Sequence, residues 1–388
     1  MRGTEVLGYV AIDSTVGGRS CGGLRMMPDV DEAEIRGLAR TMTLKYGFLG
    51  LPQGGAKAGV RGAPEAPRDE RMKILREFGT AIAPLLQSRI YVPGTDMGTG
   101  NDDIRQLLAT AGVKAKRREL RGTQSGDYTA LTVFTAAREA ARYLEMQLSD
   151  CSIAIQGFGN VGRPLADLMV EAGARVVAIS TAAGALFNPE GLDVGRIATL
   201  VSEQGSGFVT RFEAAERLKK EALLELPVDI LCPCARHGAI HSENAARIQA
   251  RVVCPGANNP VEPEAETRLH ERGILSVPDF VANSGGVLGG TMEFAAIRRP
   301  RIEDFVDHHI GSSVAWLLQE AERQYVLPRA IAVSMALQRL EQMQLAAAHP
   351  SFKGRMMAAG LELYRRGWVP TSVVAVLSPQ YFASALAR

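Results

Sequence analysis

The sequence has little net charge, few cysteines and no long apolar run. Its 44 basic and 42 acidic side chains leave a formal net charge of +2, and no basic run stands out, so no nucleic-acid partner is predicted. Apolar residues make up 46% of the 388 positions, which is enough for a core and excludes a disordered chain. No stretch reaches the roughly 18 apolar residues of a membrane helix, so no membrane partner is predicted either.

The cysteines are too sparse for a disulfide framework. Two of them form C-P-C rather than C-x-x-C, and no second pair completes a zinc site, so no metal site is predicted. The N-terminal segment also lacks the apolar centre of a secretory signal. Together these features predict a reduced, cytoplasmic location. The five cysteines are Cys21, Cys151, Cys232, Cys234 and Cys254.

The apolar spacing divides the chain into three parts. Short strands and amphipathic helices come first; one helix is predicted to begin after Asp31, and another to cover about 69–87. From Cys151 onward, apolar strands alternate with helices, which is typical of a parallel sheet built from βαβ units. After about residue 300 the pattern is mostly helical, with Trp316 and Leu317 predicted on buried faces.

A glycine turn between a strand and a helix forms G-x-G-x-x-G. The first glycine permits the tight turn, the second lets the backbone approach a pyrophosphate, and the third lets the helix pack on the strand. The free N–H groups at the helix N-terminus favour phosphate. The alternative is a purely structural glycine turn, but the strand–turn–helix–strand context favours dinucleotide binding. The predicted contacts in this turn are Gly157, Phe158, Gly159, Asn160, Val161 and Gly162.

The choice between NAD and NADP is left open by the end of the next strand. That strand ends at Ser180 and Thr181, where the acidic residue that commonly binds the ribose 2′-OH is missing. No lysine or arginine lies in 180–190 to bind a 2′-phosphate. Thr181 can form a hydrogen bond with either sugar.

Two lysines and an aspartate are candidates for acid–base chemistry. Lys45 lies on the apolar stripe of its helix, where an ammonium group needs an anion or a cavity; the alternative is a side chain that extends into water. Lys57 follows Gly54 and Gly55. Its ammonium group would be desolvated beside that of Lys45, and both effects lower the pKa of a lysine toward neutrality, which suits acid–base chemistry. Asp96 lies in a glycine-rich loop after a strand. The alternative to a catalytic role is that of an ordinary turn aspartate.

The order and spacing of these motifs resemble the glutamate/leucine/phenylalanine/valine dehydrogenases. The resemblance rests on GGLRMM, MTLKYGFLGLPQGGAKAGV, VPGTDMGT, the glycine turn, PGANNP and PDFVANSGGV, and it covers about residues 7–300. It implies an α/β fold with two domains flanking a cleft. In that fold, 1–128 is a substrate, catalytic and oligomerisation domain, 129–300 is a Rossmann-type doubly wound NAD(P)-binding domain, and 301–388 is a helical segment that packs back across them.

The resemblance also implies roles for individual residues. Lys57 matches the catalytic lysine that activates water and polarises the oxo-acid carbonyl, and Asp96 matches the aspartate that moves a proton to and from the substrate nitrogen. Lys45 matches the lysine that pairs with the α-carboxylate. The other matching positions are Gly22 and Gly23 at the substrate carboxylate, Asn283 at the substrate, and Thr129 and Asn258 near the nicotinamide.

Two departures from the glutamate-specific pattern concern the substrate side chain. Cys21 stands where those members have a lysine, and Gly290 stands where they have a serine. A second carboxylate would therefore be buried unpaired, at a cost of several kcal/mol. The likeness is thus closer to the leucine/phenylalanine branch. The predicted pocket positions are Cys21, Gly94, Val287 and Gly290, and the two glycines suggest room for a bulky aliphatic or aromatic side chain.

The predicted function is reversible NAD(P)-dependent oxidative deamination of an apolar L-amino acid to its 2-oxo acid and ammonia, by a homo-oligomer. One alternative is a catalytically silent relative that binds nucleotide or amino acid and regulates a partner; retention of Lys45, Lys57, Asp96 and Asn283 favours the enzyme. Another is a hydroxy-acid dehydrogenase, which would need a catalytic histidine. None of the six histidines lies in a comparable glycine-bracketed loop.

Overall fold

The structure, a computed structural model, describes residues 7–114 and 125–386, so most of the predicted junction at 112–127 lies outside the described part. The chain forms two compact units: the first comprises 1–123, 292–297 and 335–388, and the second comprises 124–291 and 298–334. The segment 301–388, predicted as one part, is thus divided between them. Across the described ranges, no helix has both the length and the apolar character that crossing a membrane requires.

The first unit is built on a four-stranded sheet. Its strands are β1 (Gly8–Ile12), β2 (Ser20–Met26), β3 (Gly54–Val60) and β4 (Tyr91–Thr95), in the spatial order β1-β3-β2-β4. Strand β2 is parallel to both β3 and β4, whereas β1 is antiparallel to β3. The first helices of this unit are α1 (Glu32–Phe48), α2 (Arg68–Ala81), α3 (Ala83–Gln87) and α4 (Asn101–Thr110).

Helix α1 begins where the sequence predicts. The Asp31 side chain accepts a hydrogen bond from the backbone N–H of Glu34, which caps the helix. Gly55 then lets α1 pack directly on β3, because a Cβ at this position would lie 2.0 Å from the Thr43 nitrogen. The helix predicted over 69–87 is instead interrupted at Ile82. Pro84 lies at the start of α3 and has no N–H to donate to a continuous helix.

The second unit contains a seven-stranded sheet. Its strands are β5 (Ser152–Gln156), β6 (Arg175–Thr181), β7 (Gly184–Phe187), β8 (Glu216–Leu218), β9 (Ile230–Pro233), β10 (Val252–Val253) and β11 (Leu275–Ser276), in the order β11-β10-β9-β5-β6-β7-β8. The predicted strands are parallel, which confirms the α/β class with a Rossmann-type sheet. The antiparallel edge formed by β7 and β8 was not predicted.

The helices of the second half of the chain complete both units. They are α5 (Ser125–Tyr143), α6 (Gly162–Glu171), α7 (Val194–Gln204), α8 (Pro263–Glu271), α9 (Asp279–Ala282), α10 (Gly285–Phe294), α11 (Arg299–Phe305), α12 (Gly311–Gln324), α13 (Pro328–Ala348), α14 (Phe352–Arg366) and α15 (Thr371–Leu386). Short 3-10 turns cover Leu148–Asp150, Ser206–Arg211, Ala222–Glu225 and Ala245–Arg247, and a π turn covers Val306–Ile310. The helical C-terminus is confirmed.

One predicted core residue is exposed. Leu317 is buried as expected, but Trp316 is 49% exposed, so that prediction was wrong. The buried residues of α12 include Val314, Leu317 and Ala321, which follow the i, i+3, i+7 spacing of one helix face. Trp316 lies outside this face.

Candidate active site

One face of the first sheet carries the predicted catalytic residues. Alternate residues of a strand point to opposite faces, and Leu24, Ala56 and Ala58 lie in the core on one of them. Cys21 and Lys57 alternate with these residues and therefore lie on the other face.

Lys57 and Asp96 form a buried ion pair. The Lys57 Nζ lies 2.8 Å from Asp96 Oδ2, and the Lys57 side chain is only 3% exposed. Gly23 is necessary for this arrangement, because a Cβ there would lie 2.8 Å from the Asp96 Cβ. The backbone of Asp96 forms a turn with Thr99, but the carboxylate is bound to cations rather than to the turn. The structure thus brings these two predicted residues together.

The sequence analysis missed Arg25 and its partner Glu34. The Arg25 Nε donates to Asp96 Oδ2 at 2.9 Å, and its Nη1 is bonded to Glu34 Oε1. Burial raises the pKa of Asp96, but the charges of Lys57 and Arg25 outweigh it and lower the pKa to about 2. The sequence carried one sign of Arg25: side chains alternate between the two faces of a strand, so Arg25 lies on the same face as Gly23 in GGLR.

Lys45 is buried on the last turn of α1, the helix that packs on β3. The residue is only 5% exposed, which excludes the alternative of a side chain extending into water. Its predicted contact with the substrate α-carboxylate stays a prediction.

The groups that act on the Cys21 thiol are the Tyr46 hydroxyl, the Gly22 backbone and the Lys57 ammonium group. Burial raises the pKa of the Cys21 thiol, and a hydrogen bond with Tyr46 offsets this only in part. Burial likewise raises the pKa of Tyr91 well above its usual range, and the Tyr91 hydroxyl donates to the Gly22 carbonyl at 3.1 Å. A Cβ on Gly94 would have no atom within 4 Å, so this pocket position borders open space.

The predicted dinucleotide turn has the backbone that its glycines permit. Gly157 has φ +93°, and its N–H donates to Ser180 Oγ at 3.1 Å. A Cβ on Gly162 would lie 1.8 Å from the Gly157 carbonyl oxygen, whereas a Cβ on Gly159 would meet nothing within 4 Å. Gly159 thus leaves a cradle at the start of α6 that suits a pyrophosphate. Thr181 Oγ1 donates to the Ser206 carbonyl, so its predicted contact with a sugar stays a prediction.

We expect opposite effects from adding one methyl group at two glycines of this turn. Gly162→Ala should destabilise the fold by about 1–3 kcal/mol, because the methyl group overlaps the Gly157 carbonyl. Gly159→Ala should keep the stability but weaken NAD(P)H binding about tenfold, because its methyl group enters the cradle. Thermal unfolding and fluorescence titration with NADH and NADPH measure the two effects. Unchanged cofactor binding by Gly159→Ala would remove the pyrophosphate assignment.

A second cluster of predicted residues lies within the other unit. The Asn283 Nδ2 donates to Asn258 Oδ1 at 3.0 Å and to the Ala257 carbonyl at 2.8 Å. Thr129 lies beside the NSGGV segment, since a Cβ on Gly286 would be 2.8 Å from Thr129 Oγ1. The structure therefore brings Thr129, Asn258 and Asn283 into one region of this unit. Val287 and Gly290 lie three residues apart on α10, and both are half-buried.

Two family models match the chain. The model for "Glutamate/Leucine/Phenylalanine/Valine dehydrogenase" matches residues 123–347, and that for "Glu/Leu/Phe/Val dehydrogenase, dimerisation domain" matches residues 3–112. The chain belongs to this family. It is therefore an amino acid dehydrogenase, an oxidoreductase acting on CH–NH2 groups, in a class that uses NAD or NADP.

Several curated relatives are glutamate dehydrogenases. That of Thermotoga maritima is 39% identical over 293 residues, covering 72% of this chain and 70% of the relative. The NADP-specific glutamate dehydrogenase A1 of Halobacterium salinarum is 36% identical, covering 72% and 69%. The NAD-specific glutamate dehydrogenase of Staphylococcus aureus is 37% identical, covering 72% and 70%. These relatives confirm the predicted family but give no support to the leucine/phenylalanine branch.

Solved structures of the family share the fold. The hetero-hexameric glutamate dehydrogenase of Thermus thermophilus, in its Leu-bound form, has a TM-score of 0.75 and 27% identity, covering 87% of this chain and 84% of that one. The L-tryptophan dehydrogenase of Nostoc punctiforme has a TM-score of 0.60 and 26% identity, covering 87% and 92%. Relatives of this dehydrogenase thus include enzymes named for an acidic and for an apolar amino acid.

Proposed function

We propose that this dehydrogenase oxidatively deaminates an apolar L-amino acid, bulky aliphatic or aromatic, and that it belongs functionally with the leucine/phenylalanine branch. The reaction consumes the amino acid, water and NAD(P)⁺ and yields the 2-oxo acid, ammonia and NAD(P)H, with release of a proton. The L-tryptophan dehydrogenase of similar fold supports an apolar substrate within this architecture.

The observation that carries this proposal is the uncharged side chain of Cys21. It lies on the sheet face of Lys57, at the position where glutamate-specific members place a lysine. Two cations that the structure puts on this face, Lys57 and Arg25, are already bound to carboxylates. A second substrate carboxylate would be buried here without a cation of its own, which costs several kcal/mol. An apolar side chain has no such cost.

The residues of the first unit supply binding and proton transfer. Lys45 pairs with the substrate α-carboxylate, beside the strand segment of Gly22 and Gly23. Bound NAD(P)⁺ supplies the chemistry of accepting a hydride from the substrate Cα. Lys57 then activates the water that adds to this carbon and polarises the resulting carbonyl group. Asp96 takes up and returns the proton of the substrate nitrogen.

The second unit would hold the cofactor and the rest of the substrate. The cradle at Gly159 and the N-terminus of α6 fit a pyrophosphate, and neither an acidic nor a basic residue at the end of β6 selects NAD or NADP. Asn283 contacts the substrate, with Val287 and Gly290 at its side chain. The proposed cofactor contacts are Gly157, Phe158, Gly159, Asn160, Val161 and Gly162 in the turn, Ser180 and Thr181 at the ribose, and Thr129 and Asn258 at the nicotinamide.

We also propose that the protein acts as a homo-oligomer in the cytoplasm. The match of the first unit to a dimerisation-domain model supports assembly between copies of the chain. All five cysteines are free thiols, which fits a reducing compartment.

A panel of L-amino acids tests this function. NAD(P)H absorbance is followed with leucine, phenylalanine, tryptophan, valine, alanine and glutamate, using NAD and NADP separately. We expect kcat/KM for a bulky apolar substrate to exceed that for glutamate by at least about 100-fold, which corresponds to about 3 kcal/mol. Glutamate turnover equal to or above that of every apolar substrate would refute the proposal, and so would the absence of turnover with the whole panel.

A further inference from the structure

We propose that Arg25 is a positioning residue for Asp96: it anchors Oδ2, leaves Oδ1 to meet the substrate nitrogen, and keeps the carboxylate ionised. The role in proton transfer rests on the proposed function. Arg25 lies on β2 and is 6% exposed. Its guanidinium group bridges the Asp96 carboxylate after β4 and the Glu34 carboxylate on α1, so it joins three elements through two ion pairs.

The hydrogen bonds at Asp96 are divided unequally between its two oxygens. Oδ2 accepts from Lys57 Nζ at 2.8 Å and from Arg25 Nε at 2.9 Å. Within 7–114 and 125–386, no residue donates a hydrogen bond to Oδ1. Two donors on one oxygen fix the plane of the carboxylate, and the other oxygen keeps its lone pairs for a ligand.

Arg25 remains an anchor when Lys57 is in use. In the proposed reaction Lys57 acts on water and on the carbonyl group, so its bond to Asp96 has to be exchangeable. Arg25 has no such task, and Asp96 and Glu34 raise its pKa against the lowering effect of burial. It therefore stays charged throughout the working pH range. The two cations at Oδ2 thus have different tasks, one in catalysis and one in positioning.

Charged and titratable groups on three strands act on this carboxylate. Arg25 binds Asp96 directly, and Glu34 on α1 offsets the positive charge of Arg25, so the cluster of Arg25, Lys57, Asp96 and Glu34 is neutral when all four are ionised. Cys21 and Tyr46 adjoin the cluster and stay protonated because burial raises the pKa of each. The groups that act on Asp96 are Arg25 on β2, Lys57 on β3 and Tyr91 on β4, and Glu34 on α1 acts through its ion pair with Arg25.

Loss of the Arg25 charge should change the ionisation of Asp96. The pKa of Asp96 is about 2 in the fold against an ordinary value of 3.8. A carboxyl group with a lowered pKa stabilises the fold above pH 3.8, and this stabilisation is lost as the pH falls toward 2. Without Arg25, one of the two cations that lower the pKa of Asp96 is gone, so this pKa should rise toward its ordinary value. Asp96 should then contribute less to the pH dependence of the free energy of unfolding.

The first experiment needs no substrate. Urea unfolding between pH 3 and pH 6 is compared for four full-length proteins: wild type, Asp96→Asn, Arg25→Gln/Glu34→Gln, and the triple variant. The double substitution keeps two amide groups that can bond to each other, so no charge is left buried alone. In the wild-type background, we expect the change in the free energy of unfolding caused by Asp96→Asn to depend on pH. In the double variant, the same change should depend on pH much less. An equal pH dependence in both backgrounds would overturn the proposal.

The second experiment measures positioning during turnover. Arg25→Lys keeps the charge but offers one nitrogen where Arg25 uses two, Nε for Asp96 and Nη1 for Glu34, so kcat should fall about tenfold. Arg25→Gln/Glu34→Gln should lower kcat about 100-fold, with KM within threefold. The matched control is Arg36→Gln/Glu32→Gln, an exposed ion pair on the same helix, which should change neither kcat nor the unfolding profile. A kcat within twofold of wild type in the double variant contradicts the proposal. If wild type turns over no amino acid, the proposed function fails, whereas the unfolding comparison still tests the role of Arg25.

Discussion

Lys57→Met should lower kcat by about 1,000-fold or more with the best amino acid substrate. Methionine keeps the length and apolar stem of the side chain but has no proton to transfer, so the buried site stays filled. Asp96 keeps its bond to Arg25, so the carboxylate is not left without a cation. The loss should therefore reflect missing acid–base chemistry at the water and carbonyl steps rather than a collapsed site. Steady-state kinetics with NAD(P)H detection measures it.

The matched control for this substitution is Lys73→Met on α2. Lys73 is an exposed lysine of the same unit, so kcat and thermal stability should stay close to wild type. NADH and NADPH titrations should also give wild-type dissociation constants for Lys57→Met, because the glycine turn belongs to the other unit. If Lys57→Met kept a kcat within tenfold of wild type, Lys57 would not be the catalytic lysine.

Cys21→Lys should shift the substrate preference toward glutamate by about 30–100-fold in the ratio of kcat/KM values. A charge-assisted hydrogen bond contributes about 1.5–3 kcal/mol, and an ammonium group at this position can pair with a side-chain carboxylate. It also adds a further cation close to Lys57, which should lower turnover of apolar amino acids, since their side chains bring no anion to offset it. Adding Gly290→Ser should increase the shift further by supplying a hydroxyl donor.

Cys21→Met is the control for size. Methionine is longer than cysteine and uncharged, so it should change the rates with bulky substrates but leave glutamate as poor a substrate as in wild type. Competition assays with equal concentrations of glutamate and the best apolar amino acid measure the ratio directly. A preference that Cys21→Lys leaves unaltered would mean that this position does not contact the substrate side chain.

The glycine-dependent parts of the molecule could be predicted from the sequence. A glycine turn depends on local backbone geometry, so G-x-G-x-x-G after an apolar strand correctly predicts β5, the turn at Gly157 and helix α6. The Asp31 cap predicts the start of α1 for the same local reason. By contrast, the short antiparallel strands β7 and β8 escaped prediction, because their pairing with the edge of the sheet depends on tertiary contacts more than on local pattern.

By itself, the sequence determined the α/β class and the candidates Lys57 and Asp96 from residue type and spacing, and the order of its motifs over about residues 7–300 gave the resemblance to the family. Only the tertiary structure decided that Arg25 and Lys57 share one oxygen of Asp96. Arg25 and Asp96 are 71 residues apart, and their contact depends on the parallel register of β2 with β4, which places Gly23 opposite Gly94. That register is set by side-chain packing over the whole sheet, so no local pattern in GGLR or in PGTD encodes the bond.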